Sequence, residues 1–270
     1  MRKSLLALLV LLAMVAAACG STTDEATEGS AEGEETSEEA SDCSTLPLKA
    51  DGTLTVATGE PAFLPWVADD APEAGGGFEA ALVAALATEM GVDSVEWVRT
   101  GFDDAIAPGE KDYDFNIQQF TITEERDEVV DFSNGYYQVE QAVIGAAGGA
   151  ADGITTVAEL AELNLGAQIG TTSLDYIEEV ISPANDAAVF DDNVAAKAAF
   201  DAGQVDGVVF DLPTAFFITA VEIPEANILG VLPRVGDPEE LGMLFEEGSA
   251  GSMRKRRTCY VAERWHDREP

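Results

Sequence analysis

Apolar and polar positions divide the chain into three regimes: an unbroken apolar run from Leu5 to Ala18, a stretch over residues 20–42 without a large apolar side chain, and an alternating remainder from about Gly52. In the third regime residues 54–57, LTVA, read as a buried strand, and Gly59-Glu60-Pro61 as the turn after it. Phe78, Leu82 and Leu86 recur every four residues, Val83 and Met90 widen the stripe, and Gly91 supplies a stop, so a helix is expected there. Strands are expected over 95–98 and 114–120. The second half repeats the alternation: strands at 165–169, 188–190, 207–210 and 228–231, and helices over 172–181, up to about 202, and over 212–221. Strands alternating with helices indicate an α/β fold with largely parallel sheets.

A chain of 270 residues has room for two such lobes. The division runs 44–140 for the first, 141–230 for the second, and 231–248 returning to the first. The apolar stretches 139–146 and 227–233 are then the crossing strands that form the hinge. The glycines of 145–153 make a loop beyond the crossing, and no strand-to-helix phosphate signature follows them.

The two ends carry different information. Arg2 and Lys3 precede the Leu5–Ala18 run, which is too short to span a membrane and reads, over residues 1–18, as a secretory signal. It ends in Ala-Ala-Ala-Cys, similar to a bacterial lipobox with Cys19 as the lipidated residue. Ala16 stands where the lipobox has Leu, so plain cleavage near Ala18 is the alternative; both routes lead out of the cytoplasm. Residues 20–42 contain nine acids and no base, too little apolar surface to offset ordering entropy, and read with Cys19 and Cys43 (19–43) as an acidic tether. At the other end, residues 249–270 hold six of the fourteen basic residues and the single histidine, with no apolar helical stripe. They are expected to lie outside the fold.

Charge and composition narrow the function classes. Asp and Glu number 51 against 14 Lys and Arg, a net charge of −37, which repels nucleic acid and anionic lipid. His266 as the sole histidine argues against His-dependent triads and the commonest transition-metal sites, and three cysteines are too few for a four-thiolate zinc site. No metal or cofactor is implied. Cys43 and Cys259 permit one disulfide in an oxidising compartment.

Residues 115–137, FNIQQFTITEERDEVVDFSNGYY, combine a buried strand, hydroxyl and amide side chains at its end, and Arg126 at a helix start. Ligands of open α/β sheets bind beyond the carboxyl ends of strands, so Gln119, Thr121 and Arg126 should border a cleft. An arginine fork suits a carboxylate; composition alone also allows Arg126 to be a surface partner of Glu124 or Asp127. Gly170-Thr171-Thr172 lies between a strand and a helix, with Asp175 at capping-box spacing from Thr172. Asp211 ends the 207–210 strand, where it can cap the helix beginning at Leu212, with Pro213 close behind.

With these motifs the chain resembles the amino-acid-binding family of ABC-importer solute-binding proteins, the bacterial extracellular periplasmic-binding-protein-like group of type II, over about residues 54–245. The resemblance implies a two-lobed binder of a free amino acid, working as a monomer with permease subunits in the membrane and anchored through Cys19 to the outer face. It assigns Arg126 to the ligand's α-carboxylate, together with the Thr121 hydroxyl, the Gln119 backbone, Thr171 and Thr172. Asp211 takes the α-ammonium. Phe63 and Phe102 flank the ligand's side chain, and Glu60, near Gln118, favours a polar or cationic one. Phe63, Trp66 and Phe102 are the candidate aromatic walls; composition alone also allows all three to be core or rim aromatics. Related chains continue past residue 248 into an amphipathic helix bearing the usual partner of Cys43, so the basic tail reads here as out-of-frame sequence, with a basic interaction tail as the alternative. Two other functions share the fold: a cyclic dehydratase using Glu60 and Asp211 as acid and base, and a ligand-sensing receptor component.

Overall fold

The computed structural model describes residues 48–249. The apolar leader, Cys19, the acidic tether, Cys43, Cys259 and the basic tail from residue 250 lie outside the described residues. The strands are β1 (Thr53–Gly59), β2 (Ser94–Thr100), β3 (Phe115–Thr121), β4 (Val130–Phe132), β5 (Tyr137–Val139), β6 (Gln141–Ala146), β7 (Leu165–Gln168), β8 (Ala188–Phe190), β9 (Gly207–Asp211), β10 (Ala226–Val231) and β11 (Glu239–Glu246). The helices are α1 (Phe78–Met90), α2 (Phe102–Ile106), α3 (Val157–Leu160), α4 (Thr172–Asp175), α5 (Asn193–Asp201) and α6 (Leu212–Phe217). Helices α4 and α6 run on into wider π-type turns, Tyr176–Ile181 and Ile218–Glu222.

Two sheets organise these elements, one in the order β2-β1-β3-β11-β4 with β5 also on β11, the other β10-β6-β9-β7-β8. Alternate residues of a strand face opposite sides, and both sides are covered. Leu54 and Val56 of β1 join one core cluster and Ala57 another; Ala142 and Ile144 of β6 likewise separate from Val143. Full burial of a Leu, Ile or Phe contributes about 1.5–3 kcal/mol. Several of the helices are far below the length at which a helix stands alone, so this packing, not propensity, holds them.

The sheets are mixed, which corrects the largely parallel expectation. Strand β1 is parallel to β2 and β3, and β7 to β8 and β9, but β11 is antiparallel to β3, β4 and β5, and β6 to β9 and β10. The antiparallel pairs arise at the two crossings. The chain leaves the first sheet after β5 and enters the second at β6; it leaves β10 and returns as β11. The Leu232 N–H donates to the Gln141 carbonyl at 2.8 Å beside the crossing.

Strand β11 is absent from the sequence reading, although Leu241–Phe245 are buried without a break. A central strand covered on both faces shows no alternation, and the flanking acids disguised it as a loop. The expected helix stripe holds at Val83, which is core, and at Leu82, Leu86 and Met90, which pack against that core half-buried, but not at Phe78. In α1 the buried face is Glu79, Ala80, Val83 and Ala87, while Phe78 is 42% exposed. Phe78 instead meets Trp66 and Tyr137 edge-on, at centroid distances of 6.0 and 5.5 Å.

Candidate functional site

The carboxyl ends of β1, β3, β7 and β9 converge on one cavity of about 270 Å³, lined by residues from both sheets. Glu60, Phe63, Phe102, Gln119, Thr121, Arg126, Thr171, Thr172 and Asp211 all line it, as do Gln118, Gln141, Asp191, Asp192 and Asn193. This is where an open α/β sheet presents its ligand.

Arg126 opens the helical turn Arg126–Glu128 just past β3 and is 7% exposed. Its Nη1 donates to the Thr121 carbonyl at 2.6 Å and its Nη2 to the Gly170 carbonyl at 2.8 Å, so the side chain ties the two sheets' loops together. Its Cζ lies 5.5 Å from the centre of the Phe102 ring, which stacks on Phe120 at 4.7 Å. Phe102 therefore supports the guanidinium as well as lining the cavity. The surface pairing with Glu124 or Asp127 is not formed: among the described residues no ion pair involves Arg126. Burial lowers its pKa, against the pull of Asp175, Glu239, Glu125 and Asp103. A guanidinium carries five N–H donors, so carbonyl bonds leave donors for a carboxylate.

The Gly170 turn needs glycine. Its φ is +69°, and a Cβ there would stand 2.3 Å from an Asp103 oxygen. The following cap is one residue earlier than expected: Thr171, not Thr172, accepts from the Leu174 N–H at 3.3 Å, while its hydroxyl donates to the Gln168 carbonyl at 2.7 Å. The Thr172 hydroxyl is thereby free for a partner that sequence reasoning missed. It donates to Glu239 Oε2 at 2.9 Å; Gln141 Nε2 reaches the same oxygen at 2.9 Å, and Thr121 Oγ1 at 3.4 Å. Thr121 and Thr172 are also 3.3 Å apart. Glu239 thus gathers hydroxyls from both halves, beside a cavity lined by Arg126, Thr171, Thr172 and Ser173.

Asp211 caps its helix, as its place at the end of a strand allowed. Its Oδ1 accepts from the Thr214 N–H at 2.8 Å and its Oδ2 from the Thr214 hydroxyl at 2.7 Å, capping α6, yet the half-buried carboxylate also lines the cavity. Removal from water raises its pKa to about 6, against the Thr214 bonds that lower it.

Gln119 has a φ of +55°, unusual for a side chain other than glycine, where the β3–β11 register shifts. Its N–H donates to Glu79 Oε1 at 3.0 Å, and its side-chain amide and the Tyr136 hydroxyl bind the same carboxylate. The Gln119 N–H is thus engaged by Glu79. Glu79 is fully buried on α1, and burial lifts its pKa to about 7 in spite of these donors. Asp191, exposed in the turn between β8 and α5, carried no sequence signal at all.

The profile of the bacterial extracellular solute-binding proteins, family 3, matches residues 54–258. The chain belongs to this family. Family-3 proteins act outside the cytoplasm, and among the described residues no helix is long and apolar enough to cross a membrane. The fold is similar to that of an ancestral arginine-binding protein bound to arginine, at 29% identity and a TM-score of 0.66, over 80% of this chain and 93% of that one. It is similar to holo ArgBP from T. maritima at 27% identity and a TM-score of 0.65, over 81% and 92%. A third similar structure is the ancestral amino acid-binding protein AncCDT-1, a precursor of cyclohexadienyl dehydratase, at 29% identity and a TM-score of 0.63, over 77% and 87%. The two-lobed α/β fold of this family is the fold described above.

Proposed function

We propose that this chain is the substrate-binding protein of an amino-acid ABC importer and takes a free cationic L-amino acid, arginine foremost, into the cleft between its lobes. The lobes are residues 44–140 with 231–248, and 141–230. Arg126 and the N–H groups of the Gly170 turn hold the α-carboxylate, and Asp211 holds the α-ammonium. Phe63 and Phe102 cover the apolar part of the side chain by removing it from water. Cys19 and the acidic tether hold the chain at the outer membrane face, beside the permease. Its action is binding, without turnover.

The observation that carries the choice of ligand is the charge balance of the cavity. Four carboxylates, Glu60, Asp191, Asp192 and Asp211, line it against the single cation Arg126. Once the ligand's own carboxylate pairs with Arg126 and its ammonium with Asp211, the remaining acids favour a positive side chain and repel a negative one. Asp192 caps α5 through the Ala195 N–H at 2.7 Å, so Glu60 and Asp191 are the acids open to that side chain. Similarity in fold and sequence to arginine-binding proteins supports the same choice.

A thermal-shift panel of the twenty amino acids tests the reading. Arginine and lysine should raise the melting temperature, since a ligand at a hundred times its dissociation constant stabilises by about 2.7 kcal/mol; glutamate and aspartate should not. A shift with acidic ligands alone would remove the charge argument, and turnover of a prephenate-like substrate would make the chain an enzyme of the same fold.

A further inference from the structure

Trp66 takes no part in lining the cavity, yet it is tied to it. Its ring is 2% exposed and packs against Val139 and Leu241, which flank the two crossings. The one polar atom of the ring reaches from the loop after β1 into the other half of the molecule: Nε1 donates to Thr214 Oγ1 at 3.0 Å, in the first turn of α6. Thr214 is 1% exposed, so water does not compete for its hydroxyl.

The direction of this chain of bonds is fixed by chemistry. An indole N–H can only donate, which makes the Thr214 oxygen the acceptor and leaves its single proton for another partner. That partner is Asp211 Oδ2, at 2.7 Å. Without the indole, a threonine hydroxyl in the first turns of a helix is free to turn toward other acceptors. We infer that Trp66 is a positioning residue for the ammonium subsite: its N–H holds the Thr214 hydroxyl as a donor to Asp211. Trp66 and Thr214 belong to opposite halves, so closing the cleft sets the Asp211 carboxylate in its binding orientation. The inference rests on the reading of Asp211 as the ammonium acceptor.

A consequence separates this role from simple packing. Donors to a carboxylate stabilise its ionised form. Two backbone N–H groups, those of Thr214 and of Asp211 itself, support the ionised form alongside that hydroxyl, while the side chains that face Asp211, Glu79 on α1, Tyr136 ahead of β5 and Glu239 on β11, oppose it or are neutral. Among the described residues no Lys or Arg is paired with Asp211. Loosening the Thr214 hydroxyl removes one of the donors that oppose these acids, so the pH below which the ammonium site fails must move up.

The experiment is calorimetric titration with L-arginine from pH 5 to 8 on the wild type, Trp66→Phe, Thr214→Val and the double variant. Trp66→Phe should weaken binding about fivefold at pH 7, the worth of one hydrogen bond, and shift the acid midpoint of binding upward. Thr214→Val should shift it the same way, and the double variant should add little. Benzothienylalanine at position 66 keeps the bicyclic shape and removes only the N–H, so it must reproduce the shift even if the phenylalanine variant folds poorly. An unchanged midpoint in the position-66 variants, or full additivity with Thr214→Val, would overturn the inference while leaving amino-acid binding intact. A wild type that binds no arginine at any pH would remove the ligand reading and this inference with it.

Discussion

Replacing Arg126 by methionine is expected to weaken arginine binding by a hundredfold or more. Breaking a buried charge pair costs about 3–5 kcal/mol, because the partner charge stays desolvated and unpaired. In the closed molecule the loss reaches further. The Thr121 and Gly170 carbonyls both lose their donor, and an orphaned buried acceptor costs about 1–3 kcal/mol. The variant should therefore bind poorly and also close poorly. Arg126→Lys separates the two contributions: it restores a charge over the Phe102 ring but not the fork that serves two carbonyls and a carboxylate together. Calorimetry should place it between the wild type and methionine, whereas wild-type affinity in the lysine variant would show that charge alone suffices.

Asp211→Asn should cost at least thirtyfold at pH 7 and remove the acid limb of binding. The sign follows from the pKa of about 6 in the folded protein. The ligand's ammonium stays positive across the range, so binding needs the ionised carboxylate, which is present above pH 6 and lost as pH falls through it. Between pH 7 and pH 5 wild-type affinity should fall about tenfold, the factor by which one such ionised fraction falls. Stability of the ligand-free protein moves the other way. A carboxyl whose folded pKa is raised above the unfolded value binds a proton that the unfolded chain does not, so its contribution improves as pH drops from about 6 toward 4. Subtracting the asparagine variant isolates this site from Glu79, whose carboxyl is lifted to about 7 but lies behind Gln119 and outside the cavity lining.

The residues legible in the sequence are those whose place follows from where a strand ends. Arg126, Thr121, Asp211 and the Gly170 turn sit at carboxyl ends of strands, and a turn or cap signal marked each one. The cavity gathers them from separate stretches, as an open α/β sheet should. The residues that were not legible act through partners remote along the chain. Glu239 meets Thr121, Gln141 and Thr172 across separations of 118, 98 and 67 residues, and nothing near residue 239 announces them. Glu79 carries no local signal that the fold turns it inward against Gln119. Phe78 continued an apolar stripe by spacing, but it joins an aromatic cluster at the helix start, while Leu82, Val83, Leu86 and Met90 pack on the core. Local pattern reports the strand and its end; it does not report which side chain from the returning strand arrives there.

The central claim, a cleft that grips both charged ends of an amino acid, is tested most directly by comparing L-arginine with its two truncated analogues in one calorimetric series at pH 7. Agmatine lacks the α-carboxylate that Arg126 would hold, and argininic acid replaces the α-ammonium that Asp211 would hold. L-arginine should bind, and each analogue should bind at least thirtyfold more weakly, the agmatine deficit vanishing in Arg126→Met and the argininic acid deficit in Asp211→Asn. Equal affinity for arginine and either analogue in the wild-type protein would contradict the account.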